Sequence, residues 1–98
     1  MSLDPAGTIM ARCATLARYS EEPDCLTRRC VSPPMREVNA MVGGWMRAAG
    51  MTVRQDTVGN LIGRYEADRT GAKTLLLGSH LDTVRDAGKY DGPLGVLV

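Results

Sequence analysis

One histidine and two aspartates near the carboxyl end of the chain are the residues whose types and spacing could bind a metal ion. His80 and Asp82 are separated by one residue, and Asp91 follows across a glycine-containing loop. Side chains two residues apart in an extended segment point to the same side, so His80 and Asp82 are predicted to project together. A neutral imidazole can bind zinc through one nitrogen while a carboxylate orients it through the other. His80 is therefore a candidate ligand and Asp82 its candidate orienting residue.

More ordinary roles are open for the same residues. A histidine beside an aspartate is commonly a hydrogen-bonded pair at the end of a strand. Asp91 precedes Gly92 and Pro93, so it could cap a helix as readily as it could offer a carboxylate to a metal. Spacing alone leaves these alternatives open.

The apolar run at residues 73–78 is the element that would position the candidate site. It is apolar on both faces, which is typical of an interior strand in a sheet covered by helices. His80 and Asp82 would then lie just past its carboxyl end, where open α/β sheets place their sites. We therefore expect a central strand at residues 73–78.

Helical and strand patterns alternate along the rest of the chain. Apolar residues at three- and four-residue spacings predict one helix from about Pro5 to Tyr19 and a second from about 33 to 49. Residues 51–55 and 61–65 flank a glycine and asparagine turn and predict a hairpin. A further helix is expected to begin near Asp91. This order predicts the α/β class, with helices packed on a mixed sheet.

Composition narrows the classes of partner. The 98 residues suit one small domain, and 12 basic and 11 acidic residues are interspersed, leaving a net charge of +1. Such a surface has no positive electrostatic field that would attract nucleic acid or an anionic membrane. No apolar run approaches the roughly 20 residues that span a bilayer, and residues 1–5 lack a basic leader. We expect a cytoplasmic protein that binds neither nucleic acid nor membrane.

Two further groups of residues could carry chemistry but do not require it. Cys13, Cys25 and Cys30 are odd in number and include no C-x-x-C pair, which indicates free thiols without an assigned role. Arg28 and Arg29 lie next to each other in a polar segment. They are expected to be solvated, with contact to an anionic substrate as the alternative.

Taken together, the run from Gly78 to Val84 and the run from Gly88 to Gly92 resemble the metal-binding motif of zinc-dependent amidohydrolases related to aminoacylases and carboxypeptidases. The upstream sequence is similar to one branch of them, allantoate amidohydrolase and N-carbamoyl-L-amino-acid hydrolase. That similarity rests on Leu26-Thr27-Arg28, Ser32-Pro33, residues 45–51 and residues 56–64. The resemblance therefore extends over almost the whole chain.

The resemblance implies a site with two divalent metal ions, zinc or manganese. His80 would bind one ion, Asp91 would bridge both, and Asp82 would steady the histidine as part of the catalytic machinery. Water between the ions would attack the carbonyl of a small ureido or N-carbamoyl substrate. A glutamate base, further histidine ligands and a smaller domain that forms a homodimer would follow beyond residue 98. Residues 1–98 would thus be the N-terminal portion of the catalytic domain.

Three hypotheses are open for the chain as it stands. A catalytic zinc usually has three protein ligands and a water, so one histidine and Asp91 predict weak metal binding and no activity for these residues alone. A different class of function is a non-catalytic α/β module that associates with itself or with another protein through unpaired edges and exposed apolar surface. A third possibility is that His80 retains one adventitious cation together with Asp82 or Asp91.

Overall fold

The computed structural model describes residues 4–98; residues 1–3, part of the stretch searched for a leader, lie outside the described residues. Its elements, in chain order, are α1 (Pro5–Leu16), α2 (Pro33–Ala48), β1 (Thr52–Gln55), β2 (Leu61–Arg64) and α3 (Pro93–Leu97). The chain divides into two compact units, Met1–Val38 with Gly78–Val98, and Asn39–Leu77. No helix among residues 4–98 has the length and apolar character needed to cross a membrane.

Helix α1 begins where the sequence predicts and ends three residues earlier. The Asp4 carboxylate accepts a hydrogen bond from the Gly7 amide at 3.0 Å, and Pro5 occupies the first turn, where its missing N–H costs nothing. Leu16 and Cys13 are fully buried on one face of the helix. At the end of the helix, the main-chain carbonyl of Leu16 accepts hydrogen bonds from the Arg28 guanidinium at 2.7 Å and from the Tyr19 amide at 3.1 Å.

The first unit is held together by a long-range pairing between two irregular segments. The Thr83 amide donates to the Arg28 carbonyl, and the Ala87 amide donates to the Leu26 carbonyl, each at 2.7 Å. Within the same unit α1 packs against α3. The buried apolar side chains of this unit are Cys13, Leu16, Leu26, Met35, Val38 and Leu81. The segment that carries His80 and Asp82 is therefore anchored at Leu81 and Thr83.

The second unit contains the predicted hairpin. Strands β1 and β2 pair antiparallel, with Thr52 opposite Arg64 and Gln55 opposite Leu61. Asp56 organises the turn between them, because its carboxylate accepts hydrogen bonds from the main-chain amide and the side-chain amide of Asn60, each at 2.8 Å. The hairpin prediction is confirmed to within one residue at each end.

The central strand expected at residues 73–78 is wrong for the described part of the chain. These residues have no strand conformation, and the side chains of Leu75, Leu76 and Leu77 are 82%, 87% and 82% exposed. Across residues 4–98 only β1 and β2 form a sheet, which is antiparallel and not mixed. A strand buried on both faces needs a hydrogen-bonded neighbour and covering helices, and nothing in the described chain supplies them.

Candidate metal centre

His80 lies between the two aspartates that the sequence singles out. Its Nδ1 atom is 2.8 Å from the main-chain carbonyl oxygen of Asp82 and 3.4 Å from the Asp82 carboxylate. Its Nε2 atom, on the other side of the ring, is 3.6 Å from Oδ1 of Asp91. All three side chains are about half exposed or more. The structure thus brings His80, Asp82 and Asp91 together in the first unit.

These contacts determine which ring nitrogen carries the proton. A carbonyl oxygen can only accept a hydrogen bond, so the 2.8 Å contact with Asp82 assigns the proton of the neutral imidazole to Nδ1. The lone pair is then on Nε2, the nitrogen nearer Asp91. Asp82 therefore lies where an orienting residue should lie, although its main-chain oxygen makes the shorter contact.

The separation of Nε2 and Asp91 suits a shared cation better than a direct hydrogen bond. At 3.6 Å the two atoms are too far apart for a hydrogen bond. Two ligands of one tetrahedral zinc ion, each at about 2.1 Å, lie about 3.4 Å apart. Both atoms are acceptors when Nδ1 carries the proton, so a cation between them would remove their mutual repulsion. The donor types and their separation fit one edge of a metal site.

The alternative role of Asp91 as a helix cap is wrong. Helix α3 begins at Pro93, its cap position is Gly92, and no side chain caps it. Gly92 has a φ of +99°, a conformation that favours glycine. A Cβ atom at this position would lie 2.5 Å from Nδ1 and from the main-chain oxygen of His80. Glycine at 92 therefore allows the loop carrying Asp91 to approach the imidazole.

A second contact ties this loop to the histidine segment. The Ser79 hydroxyl donates to the Gly92 carbonyl at 2.9 Å, and a Cβ atom on Gly95 would lie 2.6 Å from the Ser79 oxygen. These small residues allow the start of α3 to lie close to Ser79. The segments before and after the loop at residues 85–90 are therefore held together by Ser79 and Gly92.

Two metal ligands do not complete a centre. Across residues 4–98 no three side chains of histidine, cysteine, aspartate or glutamate are grouped so that they could hold a metal ion. Among the free thiols, Cys13 is buried and Cys25 donates to the Glu22 carboxylate. Burial raises the pKa of the Cys13 thiol, which makes it a poorer ligand. The described residues offer two convergent donors, His80 and Asp91.

Arg28 is the residue of this region that sequence reasoning placed wrongly. It was expected in solvent beside Arg29, yet its side chain is fully buried and cannot reach a substrate. Its Nε and Nη2 groups both donate to the Leu81 carbonyl, at 3.1 and 2.8 Å. Arg29 is exposed, as expected, and it forms an ion pair with Glu21. Leu26 and Thr27, which precede Arg28, are buried as well, but no sequence signal separates the two arginines.

Comparison with known proteins identifies relatives of this region. The chain is 47% identical to the N-carbamoyl-L-amino-acid amidohydrolase of Pseudomonas sp. (strain NS671) over 71% of its own length and 17% of that protein. It is 41% identical to the allantoate deiminase of Arabidopsis thaliana over 90% of its length and 17% of that enzyme. The chain thus spans a fifth or less of the length of the curated relatives it matches. No protein-family model matches it.

The backbone agrees with the same group of enzymes. A hydantoinase/carbamoylase family amidase from Burkholderia ambifaria superposes with a TM-score of 0.84 and 37% identity, over 96% of this chain and 23% of that one. The α/β class is thereby confirmed as a partial α/β domain, and the predicted kinship with hydrolytic enzymes is confirmed. The non-catalytic module is not favoured, since each of these relatives is named for an enzyme. In sequence and in backbone, this chain is similar to one part of the amidohydrolases that include N-carbamoyl-L-amino-acid amidohydrolase and allantoate deiminase.

Proposed function

We propose that this chain supplies part of the metal-binding catalytic site of an amidohydrolase that cleaves a linear ureido or N-carbamoyl compound. The observation that carries the proposal is the 3.6 Å separation between Nε2 of His80 and Oδ1 of Asp91, on a ring whose proton is assigned to Nδ1. The similarity of this chain to an N-carbamoyl-L-amino-acid amidohydrolase and to an allantoate deiminase supports the substrate class. We place the chain at the N-terminal portion of the catalytic domain of a cytoplasmic homodimer.

In this proposal each acidic residue has its own task. His80 and Asp91 would hold a divalent ion, zinc or manganese, and Asp91 has a second oxygen with which it could bridge to another. Asp82 keeps the proton on Nδ1, so that Nε2 stays free to bind. The bound ions would supply a water of lowered pKa and polarise the carbonyl of the substrate. Asp82 also adds negative charge beside the imidazole, which strengthens Nε2 as a donor.

The same geometry predicts that these 98 residues do not turn over substrate alone. Two donors are fewer than the three that a catalytic zinc usually has. Two glutamates of this unit are already engaged in hydrogen bonds. Glu21 accepts hydrogen bonds from Arg29, and Glu22 accepts from the Thr27 hydroxyl. Further ligands and the general base would have to come from other residues of a longer protein.

A pair of chimeras tests the proposal. The chain would replace the matching segment of the Pseudomonas N-carbamoyl-L-amino-acid amidohydrolase in one, and of the Arabidopsis allantoate deiminase in the other. Each chimera is expected to hydrolyse the substrate of its host. We expect allantoate hydrolysis to be retained better, since the alignment with that enzyme covers 90% of this chain against 71%.

Two substitutions make the test specific to the site. His80→Ala should lower kcat/KM of either chimera by at least about 1,000-fold, since loss of a few kcal/mol of charge stabilisation has that effect. Asp68→Asn, at an exposed position of the second unit, is the matched control and should leave kcat/KM unchanged. A folded, metal-loaded chimera in which His80→Ala is as active as its parent would overturn the proposal.

A further inference from the structure

Arg28 is a buried cation whose side-chain hydrogen bonds all go to main-chain carbonyls. Besides its two bonds to Leu81, its Nη1 group donates to the carbonyls of Leu16 and Tyr19 at 2.7 and 2.9 Å. None of these four side-chain hydrogen bonds goes to a carboxylate. Burial lowers the pKa of Arg28, and the nearby charge of Asp82 opposes that shift. Burying a guanidinium costs free energy unless its donors are satisfied, so an apolar side chain would fill the same space at lower cost.

The main chain of Arg28 adds a second set of contacts to the same segment. Its amide donates to the Thr83 hydroxyl at 2.8 Å, and its carbonyl accepts from the Thr83 amide at 2.7 Å. Arg28 therefore fixes Leu81 through its side chain and Thr83 through its backbone. These are the two neighbours of Asp82, and Leu81 directly follows His80.

We propose that Arg28 is the positioning residue of the candidate metal centre, fixing the peptide units on both sides of Asp82 so that the Asp82 carbonyl keeps the His80 proton on Nδ1. Arg28 touches neither metal nor substrate in this role, since it is fully buried. A planar guanidinium reaches carbonyls on two separate segments here, because its donors diverge from one rigid fork. A lysine would keep the charge but would present its donors from one atom.

The inference rests on the proposed function in naming the site a metal centre, but its test needs neither metal nor activity. The chain has one histidine, so long-range ¹H–¹⁵N correlation reads the tautomer of His80 without overlap. At about pH 8.5, where imidazole is ordinarily neutral, the 98-residue chain should carry the proton mainly on Nδ1. Arg28→Lys should shift most of the population to Nε2–H, the form preferred by free histidine. Arg29→Lys, at the exposed neighbour, is the matched control and should change nothing.

Thr83→Val provides an independent reading if Arg28→Lys does not fold. It keeps Arg28 and removes only the hydroxyl that accepts from its amide, so a smaller shift in the same direction is expected. Amide resonances of α1 and α3 report whether each variant keeps its first unit, which holds Arg28, Thr83 and His80. A folded Arg28→Lys with the proton still on Nδ1 would overturn the proposal, and so would an unchanged tautomer in folded Thr83→Val when Arg28→Lys fails to fold. Inactive chimeras with the expected tautomer shifts would refute the proposed function and leave the role of Arg28 intact.

Discussion

The Nε2 atom of His80 and Oδ1 of Asp91 lie 3.6 Å apart, at the two ends of a loop that Gly92 and Ser79 hold closed. This separation predicts that zinc binding by the 98-residue chain depends on both residues. With two ligands the affinity should be weak, and His80→Ala or Asp91→Ala should lower it by at least about 10-fold. Isothermal titration with zinc measures the change.

Asp82→Asn and Asp68→Asn separate orientation from general charge in the same titration. Asp82→Asn removes the negative charge beside Nδ1 and should lower zinc affinity by about 10-fold, the lower range for partners that orient a ligand. Asp68→Asn removes the same charge at an exposed site of the second unit and should have no effect. Zinc retention that survives His80→Ala would instead point to the cysteines.

Gly92→Ala should disturb the site and the fold together. The new methyl group would lie 2.5 Å from the His80 ring and main chain, at a φ of +99°. Strain of this kind costs about 1–3 kcal/mol in the free energy of unfolding. Gly88→Ala is the matched control, because no atom lies within 4 Å of its added Cβ. Urea unfolding of the two variants should differ accordingly, and equal stability would show that the loop does not approach His80 so closely.

How far the sequence predicts this structure depends on where each element finds its partners. The hairpin and the helix starts follow from local signals, such as the Asp4 cap of α1 and the Asp56 turn, and these predictions hold. Residues 73–78 carry the pattern of a buried strand, but that pattern needs neighbours to become a strand, and residues 4–98 provide none. The spacing of His80 and Asp82 predicts their proximity, because it depends only on an extended backbone.

Arg28 is a residue whose placement does not follow from local sequence signals. In sequence it is indistinguishable in type from Arg29, yet one is fully buried and the other is exposed. The difference arises from contacts with Leu81 and Thr83, which are more than fifty positions away in the chain. No local pattern encodes a long-range acceptor, so single-sequence reasoning could not find it.

The core of the first unit predicts a stability difference within one helix. Leu16 is fully buried, whereas Met10, on the same helix, is 47% exposed. Leu16→Ala removes buried methyl groups and leaves a cavity, so it should lower the free energy of unfolding by about 2–5 kcal/mol. Met10→Ala should change it by less than about 1 kcal/mol. Urea denaturation followed by circular dichroism compares them, and equal losses would contradict the burial of Leu16.

The exposed leucines at 75–77 predict self-association of the isolated chain. These three consecutive apolar side chains are each more than 80% exposed and form an aggregation-prone segment that no described residue covers. Leu76→Lys should reduce association and leave the free energy of unfolding within about 0.5 kcal/mol of the parent, because Leu76 buries little. Val58→Lys, at another exposed apolar position, is the control and should affect association less. Light scattering over a concentration series measures the difference, and a parent chain that stays monomeric would contradict it.

The hairpin turn predicts a loss of order in acid. Hydrogen bonds from Asn60, its side-chain amide first, hold the pKa of Asp56 below its ordinary value. A carboxyl whose pKa is lowered in the folded state stabilises that state above its unfolded pKa, near 3.9, and this contribution is lost as pH falls through the lowered folded pKa. The amide of Asn60 should therefore exchange faster below about pH 4 relative to amides of α2. Asp56→Asn removes the titrating group, so its turn should be weaker at neutral pH and insensitive to this pH change. If the ratio of the Asn60 exchange rate to that of the α2 amides stays constant in the parent chain through the acid range, the Asp56 charge does not hold the turn.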